Sequence, residues 1–297
     1  MFKLKPTLAL VFSICLPCTA SLFAQSPPAT DIHLLEIKNL GERIELGAPH
    51  NITNRDGYDN QPSFWSDGQR VLYTSIRDGQ ADIYAYSLVD KSTKAITQTP
   101  ESEYSPTPMP DSRSYSVVRV ELDTMLVQRL WAFPIKGGEP QLILEKINPV
   151  GYHAWGDEYT LGLFVLGNPP TFQLVNTQTG DGKILAEGVG RSMHKIPGQH
   201  AISFTTKPND KIWWINRLGL DSQQITRLTQ TLPGSEDYAW LPDGSMLMGS
   251  GSKLYRWQAE SPNEWQLLAD FSADSLHDIT RIAVSPDGQY LAVVSDR

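Results

Sequence analysis

"SPDGQYLAVVSDR", residues 285–297, sets a Pro-Asp-Gly turn before one β-rich run, Tyr290 to Ser295. Glycine tolerates the positive φ such a turn requires, and aspartate accepts hydrogen bonds from nearby backbone amides. A strand there needs a neighbour, because an unpaired strand edge invites aggregation. The same shape recurs upstream in "FWSDGQRVLYTS" (64–75), "PMPDSRSYSVVR" (108–119), "AWGDEYTLGLFV" (154–165), "KIPGQHAISFTT" (195–206) and "WLPDGSMLMGSG" (240–251). With Asp67, Asp111, Asp157, Gly198, Asp243 and Asp287 as equivalents, the spacings are 44, 46, 41, 45 and 44 residues.

A second element follows the turns. "DIYAYSL" (82–88), "RLWAFPI" (129–135), "TFQLVNT" (171–177), "KIWWINR" (211–217) and "KLYRWQA" (253–259) are short aromatic strands, each leading to a turn and a further strand such as Lys94–Thr97. Short strands at a regular period, with no helical pattern, are the signature of propeller blades. Six turns have only five such downstream pairs. The missing pair lies at the other end, where "DIHLLEI" (31–37) matches "DIYAYSL" and "PHNIT" (49–53) matches "KAIT". The reading is an all-β, six-bladed β-propeller with four antiparallel strands per blade. Its ring is closed by N-terminal strands that complete the C-terminal blade. The blades fall at about 58–99, 102–145, 149–187, 190–230, 235–270 and 276–297 plus 31–53.

Residues 1–24 read differently. Lys3 and Lys5 precede a short apolar run, Leu8 to Leu16, and Leu22-Phe23-Ala24 offers a cleavage site. This is the pattern of a secretory signal peptide cut after Ala24, with Ala20 as the alternative. A linker, 25–30, then leads to the propeller, 31–297. Both cysteines, Cys15 and Cys18, lie in the signal, so the mature chain is expected to form no disulfide and use no thiolate. Neither cysteine follows the small residue that a lipid anchor requires. A periplasmic protein is expected, with secretion as the alternative. No later stretch has the ~20 apolar residues of a membrane span. The whole chain has 25 basic and 33 acidic residues. Without Lys3 and Lys5 the balance is 23 against 33, a net charge of −10. That disfavours nucleic acid, whose binding rests on phosphate neutralisation. The Asn51-Ile52-Thr53 sequon is read as chance in that setting.

The turns "SPDG" (285–288), "LPDG" (241–244) and "SDG" (66–68), with "DIY" (82–84), resemble the TolB-like, or PD40, branch of the β-propellers, related to the WD40 type. The likeness covers essentially all of 31–297. It implies a free-standing exported propeller without the α/β domain that precedes the propeller of the Tol–Pal component. Blades 2 to 4 depart from the pattern, with Ser112 for glycine, Gly156-Asp157 without proline and Pro197-Gly198 without aspartate. Those departures bear on local turn shape.

The recurring Asp-Gly is turn chemistry, because no Asp-x-Asp-x-Asp ligand spacing for calcium appears. Trp65, Trp155 and Trp240, with Trp131, Trp213 and Trp257, are read as packing between blades. Nucleophile-elbow, zincin and P-loop motifs are absent. "SMHK" (192–195) and "GVGRSM" (188–193) lack the companion elements of a Ser-x-x-Lys enzyme or a dinucleotide loop.

The segments leading into the innermost strands are unusually polar. They supply Asn60, Glu103, Tyr104, Tyr152, His153, Arg191, His194, Glu236, Asp237, Tyr238 and Arg281 as candidate ligand-binding residues at a channel mouth. Superposing the turns makes His153 and His194 equivalent and aims both at one part of the channel. With Glu103, Glu236 or Asp237 they could hold a divalent metal, although no cofactor is the leading expectation. Arg191 and Arg281 could engage an anion bidentately. Three functions follow. The first is a non-enzymatic, monomeric binding module for a protein or cell-envelope component. The second is a lyase or hydrolase acting on a saccharide or small ester at a channel metal. The third is a sensor of a small anionic ligand. The sequence assigns no catalytic residue.

Overall fold

The computed structural model describes residues 27–40, 43–122, 125, 127–274 and 276–297, so the expected signal peptide lies outside the described residues. Six antiparallel sheets form a closed ring. Their innermost strands are Asp59–Phe64, Ser102–Pro108, Val150–Trp155, Val189–Lys195, Tyr238–Trp240 and Ile282–Val284, in blades 1 to 6. Each runs into a turn and pairs with the strand after it, and two outer strands complete the blade.

The turns form as their composition dictates. Asp67, Asp111, Asp157, Asp243 and Asp287 each accept the backbone N–H two residues on, at 2.8 to 3.0 Å. Gly68, Gly198, Gly244 and Gly288 carry the positive φ. Ser112 takes a φ of +53° itself, so blade 2 keeps its turn without glycine. Turn length varies. The backbone bond that closes the turn runs Trp65–Arg70, Met109–Ser114, Ile196–Ala201 and Ser285–Tyr290, but Gly156–Thr160 and Leu241–Ser245. Blades 3 and 5 are therefore one residue tighter.

Blade 6 closes the ring. Thr30–Leu40 pairs with Tyr290–Asp296 over seven residues, from Thr30 opposite Asp296 to Glu36 opposite Tyr290. The likeness of "DIHLLEI" to "DIYAYSL" has an atomic basis. Thr53 Oγ1 donates to Asp31 Oδ1 and accepts Ile32 N–H. Thr97 Oγ1 likewise donates to Asp82 Oδ1 and accepts Ile83 N–H. The outer edge of blade 6 departs from the expected single strand. His50–Asn51 pairs only with His33 and Leu34, while Arg43–Leu46 folds back on Ile37–Leu40 as a hairpin beyond the blade.

Burial follows the seams. Six apolar clusters each sit between two neighbouring blades. The cluster of Ile32, Val294, Phe64 and Tyr73 joins blade 6 to blade 1. Each large side chain so buried contributes roughly 1.5–3 kcal/mol. Trp65, Trp155 and Trp257 are buried in these seams, and Trp131, Trp213 and Trp240 are half-buried. Because every cluster needs both of its blades, deleting residues 30–37 should abolish cooperative unfolding of the whole ring. Urea titrations followed by tryptophan fluorescence and far-UV circular dichroism would show this, and a truncated protein that melts like the intact one would contradict ring closure.

Candidate functional site

The six inner strands enclose a cavity of about 740 Å³ on the ring axis. It runs from the level of Gln61, Tyr152, Asp237 and Arg281 to the Pro-Asp-Gly turns, where its exposed lining residues Ser66, Pro110, Pro242 and Pro286 mark the open end. The open end is thus at the turns, and the lead-in residues Tyr152, Arg191, Asp237 and Arg281 line the inner end. At that inner end side chains meet across the axis. Arg281 Nη2 donates to Tyr152 Oη at 2.8 Å, and the guanidinium lies 5.0 Å from the centre of that ring. Blades 6 and 3 are opposite one another, so this contact spans the channel. Tyr58 lies close by. Burial pushes its hydroxyl up to about 12, Arg281 and Arg191 oppose the rise, and Tyr152 and Tyr104 add to it.

Seven of the eleven candidate residues line the cavity: Tyr152, His153, Arg191 and His194, with Asp237, Tyr238 and Arg281. The other four serve the frame. Asn60 is buried and donates to Thr30 Oγ1, tying blade 1 to the closing strand. Glu103 is fully buried beside Thr99 and Arg119. Burial pushes its carboxyl up to about 7, against those two partners. Tyr104 packs into the cluster between blades 2 and 3. Glu236 accepts Lys207 Nζ at 2.6 Å and the backbone N–H of Arg191. A Cβ on Gly190 would collide with that carboxylate and with Thr205 Oγ1, so a side chain there would have to displace both.

The two histidines are not equivalent. Counting back from the closing bond of each turn, the shorter blade 3 turn aligns His153 with Met193 and Tyr238, and His194 with Ala154. Their side chains therefore face different seams. His153 Nε2 shares a 2.6 Å hydrogen bond with Ser116 Oγ of blade 2, which also accepts Trp155 Nε1–H at 2.9 Å. Tyr238 and Trp240 repeat this two seams further on, between blades 5 and 4, both donating to Ser203 Oγ at 2.8 Å. His194 faces forward instead and meets Tyr238 edge-on, with ring centres 4.8 Å apart. The two rings thus turn to different seams while both line the cavity. No group of three His, Cys, Asp or Glu side chains able to hold a metal occurs among the described residues.

Charge is unevenly placed. The lining carries Arg191, Lys195 and Arg281 against Asp237 alone. Asp237 is taken by Arg191, with contacts of 2.6 and 3.3 Å. Among the described residues no carboxylate pairs with Arg281 or Lys195. Sequence reasoning missed Lys195, Trp155 and Trp240 as lining residues. It also missed Gln61, whose φ is +58° and whose Oε1 accepts Thr74 Oγ1–H and Ser105 N–H. A polar residue next to a proline just ahead of a turn was the available signal for Gln61.

An all-β ring of six four-stranded blades defines the class as a β-propeller. No protein-family profile and no curated protein sequence matches the chain. Solved structures do. A TolB-type protein of Agrobacterium tumefaciens is 16% identical, with 92% of this chain and 99% of that one covered and a TM-score of 0.69. TolB of Acinetobacter baumannii is 13% identical, with 91% and 64% covered and a TM-score of 0.57. An oligogalacturonate lyase in complex with manganese is 14% identical, with 92% and 98% covered and a TM-score of 0.52. At such identities the likeness is one of fold.

His153 gives a pH test. Burial pulls its pKa from 6.5 down to about 3. Above pH 6.5 the imidazole is neutral folded or unfolded and the linkage vanishes. Between 6.5 and about 3 only the unfolded chain takes up the proton, so stability falls as pH falls. Replacing His153 by Gln should make the loss of melting temperature between pH 7 and pH 4.5 shallower than in the wild type. Calorimetry at matched ionic strength would measure it, and parallel curves would contradict a neutral buried ring.

Proposed function

We propose that the protein is an exported, non-enzymatic binding module of the cell envelope, whose ligand or partner segment enters the axial cavity from the Pro-Asp-Gly turn face. The observation that carries this reading is the cavity itself, about 740 Å³ and walled by all six inner strands. Binding cavities are typically concave and mostly apolar, with a few placed polar groups. The leader-like residues 1–24 support the envelope location, and the absence of later cysteines suits it. The opening admits a small ligand, or a narrow group presented by a protein or envelope component. The lyase-or-hydrolase reading would use the same cavity, but His153 is committed to Ser116 and His194 to Tyr238, which leaves it supported by fold alone.

Val284 allows a direct test. It lines the cavity at the ladder position that Trp155 and Trp240 occupy in blades 3 and 5, so a Val284→Trp variant should fold while filling the space. A library of envelope metabolites and peptides would be screened by thermal shift on both proteins. A ligand at about a hundred times its Kd stabilises the fold by about 2.7 kcal/mol, which is a shift of roughly 5–10 °C for a domain of this size. Hits should raise the wild type by that amount and leave Val284→Trp almost unmoved. Hits that shift both proteins equally would place the site elsewhere.

A further inference from the structure

Resting on the cavity reading above, we infer that the ligand is a small organic anion with an apolar body. Its acidic group is held by Arg281 at the inner end of the cavity, and its body lies between the side chains of Trp155, Trp240, Phe64 and Met193.

The chain as a whole carries a formal charge of −8, so a cavity with three cations and one carboxylate runs against the bulk of the molecule. The cations are not interchangeable. Arg191 is neutralised by Asp237, which it meets bidentately, and its backbone N–H is bound to Glu236. Lys195 is exposed near the turns and can do no more than draw an anion towards the mouth. Arg281 is different. It is half-buried, the one hydrogen-bond partner of its guanidinium among the described residues is the Tyr152 hydroxyl, and it sits where the cavity ends. A guanidinium keeps its charge at any physiological pH and presents a planar fork of donors that fits a carboxylate, sulfonate or phosphate. Held away from bulk water, such a charge-assisted bond is stronger than it would be at the surface.

The walls select the rest of the ligand. Seven of the lining residues are prolines, which have no N–H to donate, and the tryptophan indoles already give theirs to Ser116 and Ser203. The prolines and indoles thus present apolar surface on which aromatic and aliphatic groups can lie, with serine and threonine hydroxyls set between them.

The experiment uses the full mature chain and two probes with the same rings. 8-Anilinonaphthalene-1-sulfonate carries an acidic group, and N-phenyl-1-naphthylamine lacks it. Both are titrated by fluorescence against wild type, Arg281→Gln, Arg281→Lys and Val284→Trp, with melting curves recorded for each. Wild type is expected to bind the sulfonate about tenfold tighter than the neutral probe, the difference one charge-assisted hydrogen bond makes. Arg281→Gln should erase that preference and leave the neutral probe unchanged, and Arg281→Lys should keep part of it. Equal binding of the two probes by wild type, or a preference that survives in Arg281→Gln, would overturn the inference while leaving the cavity as a site. If Val284→Trp binds either probe as wild type does, the cavity reading itself fails.

Discussion

The seven-residue ladder between Thr30–Glu36 and Tyr290–Asp296 is the constraint on which the molecule depends. No blade here owns a core. Every apolar cluster lies between two blades, so each sheet contributes one face to the seam before it and one to the seam after it. An open ring would leave Phe64, Val71 and Tyr73 facing water on one side of the break. Leu291 and Val293 would lose their third-strand partner on the other. Closing the ladder supplies the sixth seam and fixes the angle at which the inner strands converge. The axial cavity exists because of that convergence.

Much of this was legible in the sequence, for local reasons. Asp-Gly turns and the Asp-Ile-Tyr strand depend on neighbours within a few residues, or on one Thr in the next strand. Their repetition therefore carried the blade count and the shared sixth blade. Positions that depend on ladder register were not legible. One residue fewer in the blade 3 turn was enough to make His153 and His194 look equivalent, although the backbone sets them one step apart. Bulges between Asn60 and Ser63, and between Tyr104 and Thr107, shift those inner strands in the same way, and Asn60 and Tyr104 fall outside the cavity. The split outer edge of blade 6 was hidden because two short pairings look, in sequence, like one strand and its loop.

Long-range charge pairing was likewise invisible. Arg191 and Asp237 are 46 residues apart, and Arg281 reaches Tyr152 across 129. The polar character of the lead-in segments was read correctly from composition. Part of that polarity lines the cavity and part is spent holding adjacent blades together. Glu236 alone engages Lys207, the Arg191 backbone and Thr205.

The seven prolines in the cavity wall have a consequence for how tightly anything could be held there. Proline fixes its own φ and restricts the residue before it. The wall's backbone therefore has little freedom left to lose when a ligand arrives. The entropy of shaping the site is spent at folding, and what remains to be spent on binding is mainly the ligand's own torsional freedom. A stiff molecule would gain most from such a preset cavity, and a floppy one of the same composition would gain least.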